Sequence, residues 1–142
     1  MVNFFTEDIE FNLSSLPLNI SEWITITTNQ ANLKVDNLNF VFCSDAYLLE
    51  INKSYLHHDY YTDIITFDNS ESSALEGDIF ISIERVRENA QLQQTTFKRE
   101  LLRVIIHGVL HLIGYDDKDD NSKITMRMME DKYLDLYFRD FQ

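Results

Sequence analysis

The sequence predicts one domain of the α+β or α/β class, and three observations carry that prediction. Short runs rich in β-branched and aromatic residues alternate with longer stretches of helical spacing along the whole chain. Of 142 residues 44% are hydrophobic, with ten Phe and seven Tyr, enough for a packed core rather than a disordered chain. No repeat, low-complexity tract or Pro/Gly-rich linker divides the chain, so residues 1–142 are read as a single domain.

The elements follow in order. Val2–Phe5 is short and apolar enough for a strand. Asn19 with Glu22 three residues later resembles a capping pair and opens a helix through about Gln30, despite the Thr-rich, β-branched middle of that segment. Leu38–Cys43 alternates Leu, Phe, Phe with Asn, Val, Cys and reads as a strand. Ser44 or Asp45 then caps a helix to about Leu56, with Ala46, Leu49 and Tyr55 near helical spacing. Ile64–Phe67 and Gly77–Ile81 are further strands, joined by an acidic, Ser-rich stretch, Asp68–Glu76, expected as an exposed mobile loop. Ser82 caps a helix carrying Val86, Ala90 and Leu92. Thr95 or Thr96 caps a long helix that stops at Gly114, and Asn121 opens a last one with Ile124, Met128, Tyr133, Leu136 and Tyr137. Three or four strands and four or five helices in mixed order result.

Charge and cysteine usage narrow the functional classes. The formal net charge is −12, from twelve basic and twenty-four acidic residues, which opposes general attraction to nucleic acid. A basic stripe on one face would be needed for non-specific binding. The single Cys43 makes neither an internal disulfide nor a thiolate zinc site. No apolar run approaches the length of a membrane span, and Met1–Asp8 has no basic region to open a signal peptide. A cytoplasmic protein without membrane association is the expectation.

The densest chemistry lies in His107-Gly-Val-Leu-His111-Leu-Ile-Gly114-Tyr-Asp-Asp117. Histidines four apart on a helix project from one face, one turn above the other. Gly114 is suited to a left-handed helix stop that turns the chain back, bringing Tyr115, Asp116 or Asp117 within reach. Two nitrogens and one oxygen then face a divalent metal with a fourth position open, the pattern of catalytic rather than structural sites. The flanking Leu101, Leu102, Val104, Ile105, Ile106, Val109, Leu110, Leu112 and Ile113 place the helix in the core, where two unpartnered imidazoles would be costly.

Other constellations are weaker. Arg99, Arg103, His107 and His111 form one i, i+4 stripe. Either the arginines reach solvent, or Arg103 holds an anionic substrate group beside the metal, a task for which a guanidinium fork is well shaped. His57 and His58 diverge on any regular element, so at most one faces a site. Thr62 and Asp63 read as turn residues before a strand. The run Asp116, Asp117, Asp119, Asp120 reads as a solvated loop, from which one member is available as a ligand.

Three blocks together resemble the YbeY-type rRNA maturation endoribonucleases. That family carries His-Gly-x-Leu-His-Leu-x-Gly-Tyr-Asp-His, which residues 107–116 match throughout. Its Asn-x-x-Tyr-Arg-x-x-Asp-x-x-Thr-Asp-Val-Leu-Ser-Phe block resembles Asn52–Phe67, with Tyr55, Asp59, Thr62 and Asp63 in register. Its Gly-Asp-Ile-x-Ile-Ser block matches Gly77–Ser82. The resemblance implies an α+β domain with a small mixed four-stranded sheet packed against four to five helices. It also implies one divalent metal, zinc by preference, held in a cleft by His107, His111 and Asp117. The implied activity is single-strand-specific RNA cleavage in 16S rRNA 3′-end maturation and ribosome quality control. Ribosomal small-subunit components are the implied partners, and no nucleotide cofactor is expected. Arg99 and His58 are the expected substrate-binding residues.

The chain departs from the family at three places. The third ligand histidine falls at Asp117, a carboxylate that zinc accepts and that shifts preference toward Mn or Fe. The arginine after the tyrosine falls at Leu56, which contacts no phosphate. Where many members carry a histidine one turn before the first ligand, this chain has Arg103. Arg103 is accordingly expected to take over the lost cationic role as a catalytic residue. Two rivals stand beside this reading. A metallopeptidase shares the ligand spacing but needs a glutamate base after the first histidine, where this chain has Gly108. A non-catalytic, metal-stabilised ribosome assembly factor fits Leu56 and the negative charge.

Overall fold

The structure is a computed structural model that describes residues 1–142. Strands β1 (Val2–Thr6), β2 (Lys34–Cys43), β3 (Ile64–Asp68) and β4 (Ala74–Ser82) form one sheet in the order β1-β2-β4-β3. The first three neighbours run parallel and β3 pairs antiparallel at the edge, so the sheet is mixed. Five helices surround it: α1 (Ile20–Gln30), α2 (Asp45–Leu56), α3 (Ile83–Leu92), α4 (Phe97–Ile113) and α5 (Asp120–Asp140). This is the α+β architecture with a four-stranded mixed sheet.

Strand alternation divides the apolar residues between two faces. Leu38, Phe40, Phe42, Ile79 and Ile81 enter the main core with Trp23, Ile24 and the apolar residues of α4 and α5. Cys43 and Ile65 turn the other way and pack with Leu48 of α2, flanked by Tyr47, Phe67 and Phe80. Within that second layer Cys43 is fully buried, and desolvation first, then Asp8 and Asp45, pushes its thiol up to about 12. It is a packing residue rather than a nucleophile.

α4 is buried almost all round, which is why its sequence is apolar almost all round. Thr96 accepts from Arg99 N to cap its start, and Gly114, at φ 126°, ends it. Tyr115 N then donates back to Leu110 O at 3.0 Å, returning the chain toward the histidines.

Several sequence expectations are corrected. Asn19 stands at the N-cap of α1 as expected, and its carbonyl accepts from Trp23 N at 3.1 Å, but at φ 58° its side chain makes no cap bond and its Nδ2 donates to Phe141 O at 2.8 Å instead. The Thr-rich middle is helical as expected: Thr27 and Thr28 join the buried face with Ile20, Trp23 and Ile24, and their hydroxyls are satisfied by carbonyls one turn earlier. On α2 the covered face is Leu48 and Asn52 rather than Ala46 and Tyr55. The expected Asp68–Glu76 loop is shorter. Asp68 pairs with Gly77, Asn69 N donates to Glu76 O at 2.8 Å, and a bridge between Glu71 and Ala74 closes the turn, so the hairpin extends almost to its tip. α5 is capped by Asp119, in a reciprocal capping box with Ser122, rather than by Asn121. Its buried stripe is Met126, Glu130, Tyr133, Leu134 and Tyr137, while Ile124 and Met128 face solvent.

Candidate metal centre

His107 and His111 leave the last two turns of α4 on one face, and the Gly114 turn delivers Asp117 opposite them. The two Nε2 atoms lie 3.1 Å apart. Asp117 straddles them, with Oδ2 3.4 Å from His107 Nε2 and Oδ1 3.5 Å from His111 Nε2. Donor atoms of all three residues fall within 4.8 Å of one another. Ligands of a tetrahedral zinc with bonds of about 2.0–2.1 Å lie roughly 3.3–3.4 Å apart, and the spacing of these three side chains, each His facing a different Asp117 oxygen, is of that size.

Glu130 of α5 fixes the first histidine. Its Oε2 lies 2.6 Å from His107 Nδ1. A carboxylate only accepts, so the ring proton sits on Nδ1 and the Nε2 lone pair is left facing His111 and Asp117. Burial alone would push the His107 imidazolium down. The bond and charge of Glu130, with Asp117 and Asp63, outweigh it and raise His107 above its ordinary value. His111 goes the other way, lowered by burial and then by the neighbouring His107. The pair therefore carries at most one positive charge, on His107, and a cation at the Nε2 atoms would displace that extra proton.

The arginines sit differently from the expectation. Arg103 is buried, with Nη1 3.1 Å from Glu130 Oε1 and 3.0 Å from Asp131 Oδ1. A guanidinium already held by two carboxylates is poorly available to a phosphate, and its place is behind Glu130 in a chain Arg103–Glu130–His107. Arg99 lies over the Phe138 ring at 5.3 Å and lines neither cleft at this centre. His58 does line the cleft, beside Tyr60.

That cleft has a volume of about 490 Å³ and runs from Asn52 and His58 past Asp63 to His107, His111 and Asp117. A second hollow of about 270 Å³ adjoins it, sharing Asp63, His107 and Asp117, with Glu100, Arg103 and Glu130 on its far wall. Asp63, expected as a turn residue, lines both, and desolvation raises its pKa against the pull of His107. Sequence reading missed Glu130 because it lies 23 positions beyond His107. The available signal was its place on the apolar stripe of α5, four after Met126 and three before Tyr133, where a carboxylate needs a partner.

Fold and cleft together define a small α+β domain whose His107, His111 and Asp117 could hold a metal ion in a cleft open to solvent. The chain belongs to the YbeY endoribonuclease family: a family model described as Endoribonuclease YbeY matches residues 1–137. It is 52% identical over 134 residues to the Endoribonuclease YbeY of Cytophaga hutchinsonii, covering 94% of this chain and 93% of that one. Against the Flavobacterium psychrophilum Endoribonuclease YbeY the identity is 46% over 133 residues, covering 94% of each chain. The solution structure of a Thermotoga maritima protein is similar, with a TM-score of 0.67 and 30% identity over 95% of this chain and 87% of that one.

Proposed function

We propose that this protein is a metal-dependent endoribonuclease that cuts single-stranded RNA, with one zinc held by His107, His111 and Asp117. The observation that carries the reading is the convergence of those three donors at one point in an open cleft. Bound there, a divalent ion lowers the pKa of water and polarises a phosphoryl oxygen, which favours phosphodiester hydrolysis. The protein's own groups do the rest. Glu130 holds the His107 tautomer, Arg103 holds Glu130, and Asp63 lines the cleft with a raised proton affinity. No glutamate follows His107, since Gly108 packs into the sheet, so the peptidase reading lacks its base.

Family membership supports 16S rRNA 3′-end maturation as the setting, with small-subunit components as partners and a cytoplasmic location. No helix is long and apolar enough to cross a membrane. The test is cleavage of an unstructured RNA and of the same sequence in a duplex, by wild type and by His107→Ala purified in parallel. Cutting of the single strand by wild type alone is the expected result. Equal cutting by both proteins would point to a contaminant, and binding without cutting would favour a non-catalytic assembly factor.

A further inference from the structure

The cleft lacks what most RNA-binding surfaces have. None of its lining residues is Lys or Arg, and three are aspartates, Asp63, Asp68 and Asp117. Cations on the neighbouring elements are engaged: Lys53 lies 3.7 Å from Glu50 and 3.6 Å from Asp59, and Arg85 lies 2.7 Å from Asp45. Leu56 removes another possible phosphate contact. Beyond the metal itself, this cleft offers the strand no cation, which leaves its bases as the groups to grip.

The cleft wall offers aromatic rings instead. Tyr60 and His58 stack with centroids 5.1 Å apart and planes 20° apart, tied by a 3.0 Å contact between Tyr60 Oη and His58 Nδ1. Tyr60 is 56% exposed, and neither ring packs into either hydrophobic cluster, so a core role does not explain the pair. The stack is nevertheless held in place. Asn52, 2% exposed, donates from Nδ2 to Tyr60 O at 2.9 Å, while its own carbonyl accepts from His58 N at 3.0 Å. His57, at φ 57°, makes the sharp turn that lets the chain double back over Asn52.

We propose that the Tyr60–His58 stack is a platform for an unpaired nucleobase of single-stranded RNA, gripping the strand by its bases beside the metal. The proposal rests on the ribonuclease reading above and supplies the substrate contact that reading lacks. Stacking accepts any base, because every base has a π-face, and it rejects a duplex, whose bases are already stacked on one another. Single-strand preference then follows from the wall of the cleft rather than from the metal.

The test uses the full-length, metal-loaded protein and a short, labelled, unstructured oligoribonucleotide with phosphorothioate linkages to slow cleavage, followed by fluorescence anisotropy. A matched strand carrying abasic sites is the second probe. Tyr60→Ala should weaken binding to the base-bearing strand about tenfold, Tyr60→Trp should restore it, and neither change should alter binding of the abasic strand. Raising the salt should weaken wild-type binding with a log–log slope of magnitude about 0.7, the counterion release of the single phosphate at the metal. Unchanged affinity in Tyr60→Ala, equal binding of the abasic strand, or a slope several times steeper would each overturn the platform. If wild type cleaves RNA in a His107-dependent way while Tyr60→Ala behaves identically, the platform alone fails. If wild type neither binds nor cleaves RNA, the ribonuclease reading fails first.

Discussion

Replacing Glu130 by Gln keeps the shape of the group beside His107 and removes its charge. The amide can still meet the ring, but it no longer forces the proton onto Nδ1 or draws a cation toward Nε2. Metal affinity should fall about ten- to a hundredfold, measured by competition with a chromogenic chelator, while the fold is retained. Affinity equal to wild type would mean that His107 needs no such partner. Glu100 makes a second case at this scale. Its Oε1 is buried without a hydrogen-bond partner, Arg103 Nε stands 3.9 Å away, and burial raises its pKa despite that cation. A raised carboxylate pKa means the folded state holds the proton more tightly, so stability is lost as the pH rises from the unfolded toward the folded value, and the full cost of the charged form is present above both. Glu100→Gln should therefore raise the melting temperature at neutral pH, with the gain shrinking as the pH falls through the folded and then the unfolded pKa. A gain independent of pH would contradict that account. The histidine pair was legible in the sequence because helix spacing sets it locally and one glycine turn brings Tyr115, Asp116 or Asp117 back to it, and the family resemblance singled out Asp117 among the three. Glu130 and the engagement of Arg103 were not, because they depend on how α5 lies against α4.

At the scale of elements, two of the three glycines mark where α4 meets the sheet. A Cβ on Gly77 would sit 2.6 Å from the Phe67 carbonyl oxygen and 3.4 Å from Leu112 of α4. Backbone oxygen in a paired strand has nowhere to go. On Gly108 a Cβ would meet the tip of Ile64 at 2.9 Å, a flexible side-chain end, and alanine would favour the helix by about 1 kcal/mol. Gly77→Ala should thus cost about 2 kcal/mol or more in denaturant unfolding, whereas Gly108→Ala should change stability by about 1 kcal/mol or less. Equal costs would show that the approach of α4 is not limited by the β3–β4 pair. Most elements were readable from alternation, helical spacing and caps such as Ser44, Ser82 and Thr96. The misreadings have physical causes. The Asn19 side chain is spent on Phe141 rather than on its own helix, and strand pairing across Asp68–Gly77 overrides the loop-like composition of the Ser-rich turn.

For the whole molecule, a net charge of −12 and a cleft free of Lys and Arg leave the bound cation as the main attraction for a polyanion. A cation held by His107, His111 and Asp117 would tie α4 to the Gly114–Asp117 turn, so binding it would also contribute to folding. The central claim is that His107, His111 and Asp117 together hold one ion on which RNA cleavage depends. Titrating metal-free protein with zinc, while following bound metal and the rate of single-strand cleavage in the same samples, tests it most directly. Both should rise together and level off at one ion per chain, and both should be lost in His111→Ala. Cleavage that is complete before metal binds, or that survives in His111→Ala, would contradict it.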